Sequence, residues 1–275
     1  EKDVSLLRFM RDDLKLKSIK DGCSQGACGT CTIIIDGKAT RACILTTKRA
    51  EGMNIVSVEG MSDLEKEAFV YAFGSKGAVQ CGFCIPGMVM SGKALLDKNP
   101  NPTEDEIKEA IKTNICRCTG YKKIIEAIDL VGQILRGETT IDKELEKGDE
   151  FGVGSNAFRI DVREKVLGYG QYCDDMEIDG MLHVSAVRTK YPRARILDID
   201  YSEALKLDGV VAVLTADDVP NNKVGHIQQD WDVMIAKGEI TRYVGDALCL
   251  VVAESEDILK KAKSLVKVEY EVLEP

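Results

Sequence analysis

Asp21-Gly-Cys-Ser-Gln-Gly-Ala-Cys-Gly-Thr-Cys31 is the stretch on which the reading of this chain turns. It holds Cys23, Cys28 and Cys31 among Gly22, Gly26 and Gly29, and a fourth cysteine, Cys43, follows after 11 intervening residues. Thiolates are soft metal ligands. Glycines let a backbone wrap closely around a compact group and aim its N–H groups at sulfur. A hairpin accounts for the gap before Cys43. Thr32–Ile35 and Lys38–Cys43 read as strands joined by Asp36-Gly37, a preferred type I′ pair, so the chain goes out and returns beside the loop. Upstream, Ser5–Leu14 reads as a short amphipathic helix with Leu6, Leu7, Met10 and Leu14 on one side.

A second quartet lies downstream: Cys81, Cys84, Cys116 and Cys118, spaced C-x2-C-x31-C-x1-C. Around it the signals are helical. Ser62 with Glu65 forms a capping-box pattern opening a helix to about Phe73, a helix follows Pro86 to about Leu96, and Thr103 with Glu106 opens another to about Thr113. Lys122–Leu135 carries Ile124, Ile125, Ile128, Val131 and Leu135 at helical spacing. The cysteine pairs precede the second and fourth of these helices, where the positive end of the helix dipole favours thiolate. The first quartet has the C-x4-C-x2-C…C spacing of plant-type [2Fe–2S] ferredoxins, and two groups of four fit two four-thiolate clusters. A structural zinc ion is the alternative for each quartet, and the second, taken alone, is the less specific of the two.

Composition narrows the rest. At 275 residues two or three compact units are expected. A net charge of −9 argues against nucleic acid or an anionic membrane as partner, and apolar runs such as Ala247–Ala253 are too short to span a bilayer. No secretory signal is visible, so a cytoplasmic location is expected, where thiols stay reduced and act as metal ligands. The chain begins at Glu1 without an initiator Met and stops abruptly at Pro275, as expected of a piece of a longer protein. Residues 137–157 are charged and Gly-rich and read as a linker. Within them Gly152-Val-Gly-Ser-Asn-Ala157 matches G-x-G-x-x-A, but no strand precedes it and no helix follows, so it is read as linker too. Residues 158–275 are mixed α/β, with strands expected at Leu182–Arg188, Ile196–Asp200, Val210–Leu214, Ala247–Ala253 and Lys267–Val272 and a helix at Glu256–Val266. Cys173 and Cys249 stand outside both quartets and are read as buried or neutral cysteines. His183 and His226 have no partner at metal-ligand spacing, no Ser/His/Asp or Cys/His arrangement points to a nucleophile, and Trp231 is solitary.

The cysteine segments carry a family resemblance. Asp21–Cys31 resembles the ferredoxin-like signature of the xanthine dehydrogenase/aldehyde oxidoreductase family of molybdenum hydroxylases, and Val79-Gln-Cys-Gly-Phe-Cys-Ile-Pro-Gly-Met88 with Asn114-Ile-Cys-Arg-Cys-Thr-Gly-Tyr121 resembles that family's helical cluster signature. Lys165-Val-Leu-Gly168 with Tyr172, Asp174 and Asp175, Gly180-Met-Leu-His183, Arg193-Ala-Arg-Ile196, Gly209–Leu214, Arg242-Tyr-Val-Gly245 and Val266–Glu271 are similar to the first, hammerhead-like domain of the molybdenum subunit. The resemblance implies a multidomain α+β chain. Residues 1–60 would be a ferredoxin-like β-grasp [2Fe–2S] domain lacking the usual first hairpin, 61–136 a four-helix-bundle [2Fe–2S] domain, 137–157 a linker and 158–275 an α/β hammerhead-like domain. Cys23, Cys28, Cys31 and Cys43 would hold one [2Fe–2S] cluster and Cys81, Cys84, Cys116 and Cys118 the other. Gln80 and Cys118 match positions that in the family lie against the pterin. A loop-stabilising amide is the alternative for Gln80.

The function so implied is electron transfer within an enzyme that hydroxylates a purine, another N-heterocycle or an aldehyde. The rest of the molybdenum subunit would supply molybdopterin. The linker is too short for a flavin domain, which implies FAD on a separate subunit or a soluble electron acceptor. The family's molybdenum-contacting loops lie beyond the hammerhead domain, so this chain is not expected to turn over substrate alone. The alternative is a free-standing two-cluster electron carrier with an appended binding domain. Two departures from the family pattern, Ile85 for Thr and Asp246 for Gln, have no consequence legible in the sequence.

Overall fold

The computed structural model describes residues 3–142 and 158–275. Most of the expected linker, with its G-x-G-x-x-A segment, lies outside the described residues. The chain divides into two compact units, Glu1–Met176 and Glu177–Pro275.

The first unit opens with α1 (Leu6–Arg8), which widens into a π-helical turn at Phe9–Asp13. Leu6, Leu7 and Met10 are buried, but Leu14 is 51% exposed. The wider turn is the reason: Leu14 N–H donates to the Phe9 carbonyl, five residues back, and swings off the apolar side that an α-helix would give it. The cysteine loop follows, then strands β1 (Thr32–Ile35) and β2 (Lys38–Arg41). Asp36 and Gly37 have φ of 48° and 75°, the left-handed pair that a type I′ turn needs. A short β3 (Ile55–Val56), absent from the sequence reading, completes an antiparallel sheet in the order β2-β1-β3.

β1 is buried along its whole length, and its alternation serves two cores. Ile33 and Ile35 pack with Leu7, Met10 and Ile19, while Ile34 packs with Val58, Met61 and Met88 under the helices. These helices are α2 (Asp63–Ser75), α3 (Ile85–Leu96), α4 (Glu104–Ile111) and α5 (Lys122–Leu135). Both expected capping boxes form, Ser62 with Glu65 and Thr103 with Glu106. α2 packs on α5 through buried Phe69, Phe73, Ile124 and Ile128, each contributing about 1.5–3 kcal/mol by leaving water.

Glu65 ties α2 to α3 as well as capping its own helix. Its carboxylate accepts from the Ser62 backbone N–H and hydroxyl and pairs with the Lys93 ammonium. Burial opposes its ionisation, but Lys93 and Ser62 outweigh that and hold the carboxyl below the usual glutamate range. A depressed carboxyl contributes stability above the unfolded-state pKa and loses it as pH falls through the folded one. Glu65→Gln is therefore expected to cost about 1–2 kcal/mol near pH 7 and less at acid pH. Urea denaturation at two pH values reads this directly, and an equal loss at both would contradict it.

One further helix, α6 (Val162–Leu167), belongs to this unit. Val162, Val166 and Leu167 are buried in the same core as α2 and α3. The sequence reading grouped residues from 158 onward with the hammerhead, whereas the unit boundary falls after Met176. Six residues are too few for a helical period to declare which core its apolar side joins.

The second unit is α/β. β4 (His183–Arg188), β9 (Ala247–Ala253) and β6 (Val210–Leu214) form one antiparallel sheet in the order β4-β9-β6, and β5 (Ala194–Asp200) pairs antiparallel with β10 (Lys267–Val272). α7 (Ser202–Leu205) and α8 (Glu256–Leu265) cover the three-stranded sheet, burying Ala204, Val213, Val251, Leu259 and Ala262. A small hairpin, β7 (Lys223–Val224) with β8 (Trp231–Asp232), was not legible in the sequence. Cys249 is fully buried in this core, and burial pushes its thiol up to about 11, so it packs as a neutral group. Asp246 does find a role here: its carboxylate accepts from the backbone N–H groups of Arg242 and Tyr243 and closes the turn leading into β9. No helix among the described residues is long and apolar enough to cross a membrane.

Candidate iron–sulfur sites

The first quartet sits on the Gly-rich loop and on the 3-10 turn Ala42–Ile44 that ends the hairpin. The loop supplies the donors its glycines were expected to free. Gln25 and Cys28 N–H groups point at Cys23 Sγ, each at 3.4 Å, Gly26 N–H points at Cys43 Sγ at 3.2 Å, and Thr30 Oγ1 lies 3.0 Å from Cys28 Sγ. Those N–H groups lower the Cys23 thiol to about 7, while burial pushes Cys31 up to about 12. A bare thiolate is thus unfavourable at Cys31, and the positive charge of a metal is what would deprotonate it.

The second quartet gathers from two loops. Cys84 is the N-cap of α3, and Cys116 and Cys118 lie just before α5, whose N-cap Tyr121 takes φ of 70°. The Tyr121 hydroxyl accepts from Cys116 N–H at 2.8 Å, and Thr119 Oγ1 lies 3.1 Å from Cys116 Sγ. Cys84 and Cys116 are buried, whereas Cys81 and Cys118 are exposed. Burial pushes the Cys84 thiol up, so it too needs a cation to ionise.

Each quartet brings its sulfurs close together. Cys81 Sγ and Cys118 Sγ stand 3.6 Å apart, and the other thiols also lie close together, Cys31 to both Cys43 and Cys28 and Cys84 to both Cys116 and Cys81. That pattern tests what the thiols can hold. One tetrahedral zinc would draw all four sulfurs to about 3.8 Å from each other, given bonds of about 2.3 Å. A [2Fe–2S] core also takes four thiolates, two on each iron. The all-sulfur donor sets fit a four-thiolate [2Fe–2S] core at each site.

The two sites are joined by a residue whose role the sequence reading missed. Asn114 is 1% exposed. Its amide donates to the Gly29 carbonyl at 2.9 Å and to Thr32 Oγ1 at 3.2 Å, and its side-chain oxygen accepts from the Ser91 hydroxyl at 2.8 Å. Next to it, Ile115 N–H donates to the Cys28 carbonyl at 2.8 Å. The first cluster loop therefore hangs on the residues immediately before Cys116. The approach is close: Gly29 has φ of 69°, and a Cβ there would stand 2.4 Å from the Thr113 carbonyl. The sequence signal was position alone, a polar side chain two residues before a cysteine ligand candidate. Gln80 is exposed beside Cys81, and its carbonyl accepts from the Arg159 guanidinium.

Known proteins share this layout. Residues 5–69 match the family described as 2Fe-2S iron-sulfur cluster binding domain, 57–129 the [2Fe-2S] binding domain, and 167–274 the aldehyde oxidase and xanthine dehydrogenase a/b hammerhead domain. The nicotinate dehydrogenase small FeS subunit of Eubacterium barkeri is 45% identical over 46% of this chain and 82% of its own length. The chain belongs to the molybdenum hydroxylase family of xanthine dehydrogenases and aldehyde oxidoreductases. The aldehyde oxidoreductase of Megalodesulfovibrio gigas is 36% identical over 98% of this chain and 32% of its own length. The crystal structure of the aldehyde oxidoreductase from Desulfovibrio desulfuricans superposes with a TM-score of 0.85 at 34% identity, covering all of this chain and 32% of that one. The chain thus spans about a third of the aldehyde oxidoreductases it matches. It carries the two 2Fe-2S domains and the hammerhead domain of a molybdenum hydroxylase, and with them its iron–sulfur electron-transfer region.

Proposed function

We propose that this chain relays single electrons from a molybdenum–pterin site, outside the residues described here, to flavin on a separate subunit or to a soluble acceptor, in an enzyme that hydroxylates an aldehyde, a purine or another N-heterocycle. Cys23, Cys28, Cys31 and Cys43 hold one [2Fe–2S] cluster, and Cys81, Cys84, Cys116 and Cys118 hold the other. When bound, the clusters supply one-electron redox capacity, and the pterin group of the family supplies the hydroxylation chemistry.

The chain's own residues set the geometry. Exposed Cys81, Cys118 and Gln80 present one edge of the second site outward, suited to receiving the pterin. The observation that carries the reading is the Ile115 N–H to Cys28 carbonyl bond, which links the two cysteine sets by one hydrogen bond and one peptide bond. N–H groups aimed at Cys23 and Cys43 stabilise added negative charge at the first site. The exposed loop around it faces an acceptor.

Protein purified without oxygen from iron-replete cells is expected to contain about four irons, with two distinct rhombic signals on reduction. Metal analysis finding zinc in place of iron would end the assignment.

A further inference from the structure

Residues 158–176 reach back over the loop that begins the second site and hold it at three successive positions. The Arg159 guanidinium donates to the Gln80 carbonyl. The Tyr172 hydroxyl donates to the Cys81 carbonyl at 2.8 Å. The Lys165 side chain lies on Gly82, where a Cβ would come within 2.6 Å of its Cδ and where φ is 83°. Lys165 Nζ stands 4.0 Å from the Tyr172 ring centroid, and Phe83 meets the same ring edge-on at 5.2 Å. Beyond Tyr172, Asp175 anchors the segment to Arg11 at 3.0 Å.

The charges at this clamp are unequal in effect. Arg159 is paired with Asp161, which cancels most of its field. Lys20, 5.1 Å from the Tyr172 centroid, faces Asp175 at 3.8 Å, and Arg11 shares that carboxylate. Asp161 also lies within reach of Lys165, but no ion pair with Lys165 is present among the described residues. Lys165 therefore contributes the least compensated positive charge beside Cys81.

We propose that the 158–176 strap is a tuning element for the second iron–sulfur site, in which Lys165, seated on Tyr172 and Gly82, raises the reduction potential of the Cys81/Cys84/Cys116/Cys118 centre relative to the other. The physics is simple: one-electron reduction adds a negative charge to the centre, and a nearby partly buried cation stabilises the reduced form more than the oxidised one. Lys165 acts through the field and through the Tyr172 ring, so it is a positioning residue. In an electron relay the consequence is direction, because a receiving centre of higher potential draws electrons from the oxidised substrate side.

The inference rests on the cluster assignment above, and the test separates the two. The full chain with Lys165→Met, Lys165→Arg or Lys206→Met is titrated with dithionite against redox mediators, following both paramagnetic signals together with iron content. Lys165→Met is expected to keep iron and both signals, to lower the potential of one centre and to leave the other in place. Lys165→Arg should restore the original value, and Lys206→Met, in the other unit, should shift neither. Tyr172→Phe, which removes the hydrogen bond to Cys81 but keeps the ring, should change the line shape of that same signal. Unaltered potentials in Lys165→Met with both centres intact would overturn the strap's role, as would a shift of equal size in Lys206→Met. Absence of iron from the parent chain would instead overturn the cluster assignment itself.

Discussion

Cys116→Ser should remove one of the two paramagnetic signals of the reduced protein and about half of its iron, leaving the other signal in place. The expectation follows from the separate placement of the two quartets. Cys116 lies against Cys84 in the second quartet, so a hydroxyl there would leave that site with three thiolates. Cys23, Cys28, Cys31 and Cys43 come from a different loop and a different turn, and none of their sulfur contacts involves Cys116. Loss of both signals would show that the first site is not built without the second. Retention of both would remove Cys116 from the ligand set.

The second large effect concerns Asn114. Asn114→Ala strips the Gly29 carbonyl of one of its donors, leaves the Ser91 hydroxyl facing no acceptor, and opens a small void. At about 1–3 kcal/mol for each buried group left unsatisfied, a loss of about 3 kcal/mol is expected. Asn114→Asp should be worse, because it places a carboxylate oxygen against the Gly29 carbonyl in a buried site. Thermal unfolding of the iron-loaded chain measures both, with Asp below Ala below the parent. An Asp variant as stable as the parent would refute the bridging role. The same variants should also broaden both paramagnetic signals, since the cluster loops lose their common tether.

Much of this was legible beforehand because the informative residues act locally. Capping boxes at Ser62/Glu65 and Thr103/Glu106 form within four residues, and the Asp36-Gly37 turn forms within two. The Lys122–Leu135 stripe is long enough for its period to stand out. What escaped depends on partners far along the chain. The helix α6 is defined by a core formed from Ile34 and residues 58–134. The two-residue strand β3 exists only because β1 lies beside it. The same holds at the sites: cysteine spacing names the ligand candidates, but Asn114 and Tyr172 matter through carbonyls 85 and 91 residues away.

β1 has a kinetic meaning that its packing alone does not announce. Electron tunnelling falls off exponentially with distance, so a relay is only as steady as the spacing between its stations. Ile34 is embedded on the helical side and Ile33 and Ile35 on the other, so no flexible joint separates the two sulfur-rich loops. A displacement of β1 would disturb both cores together, so the strand couples the two sulfur-rich loops to one element.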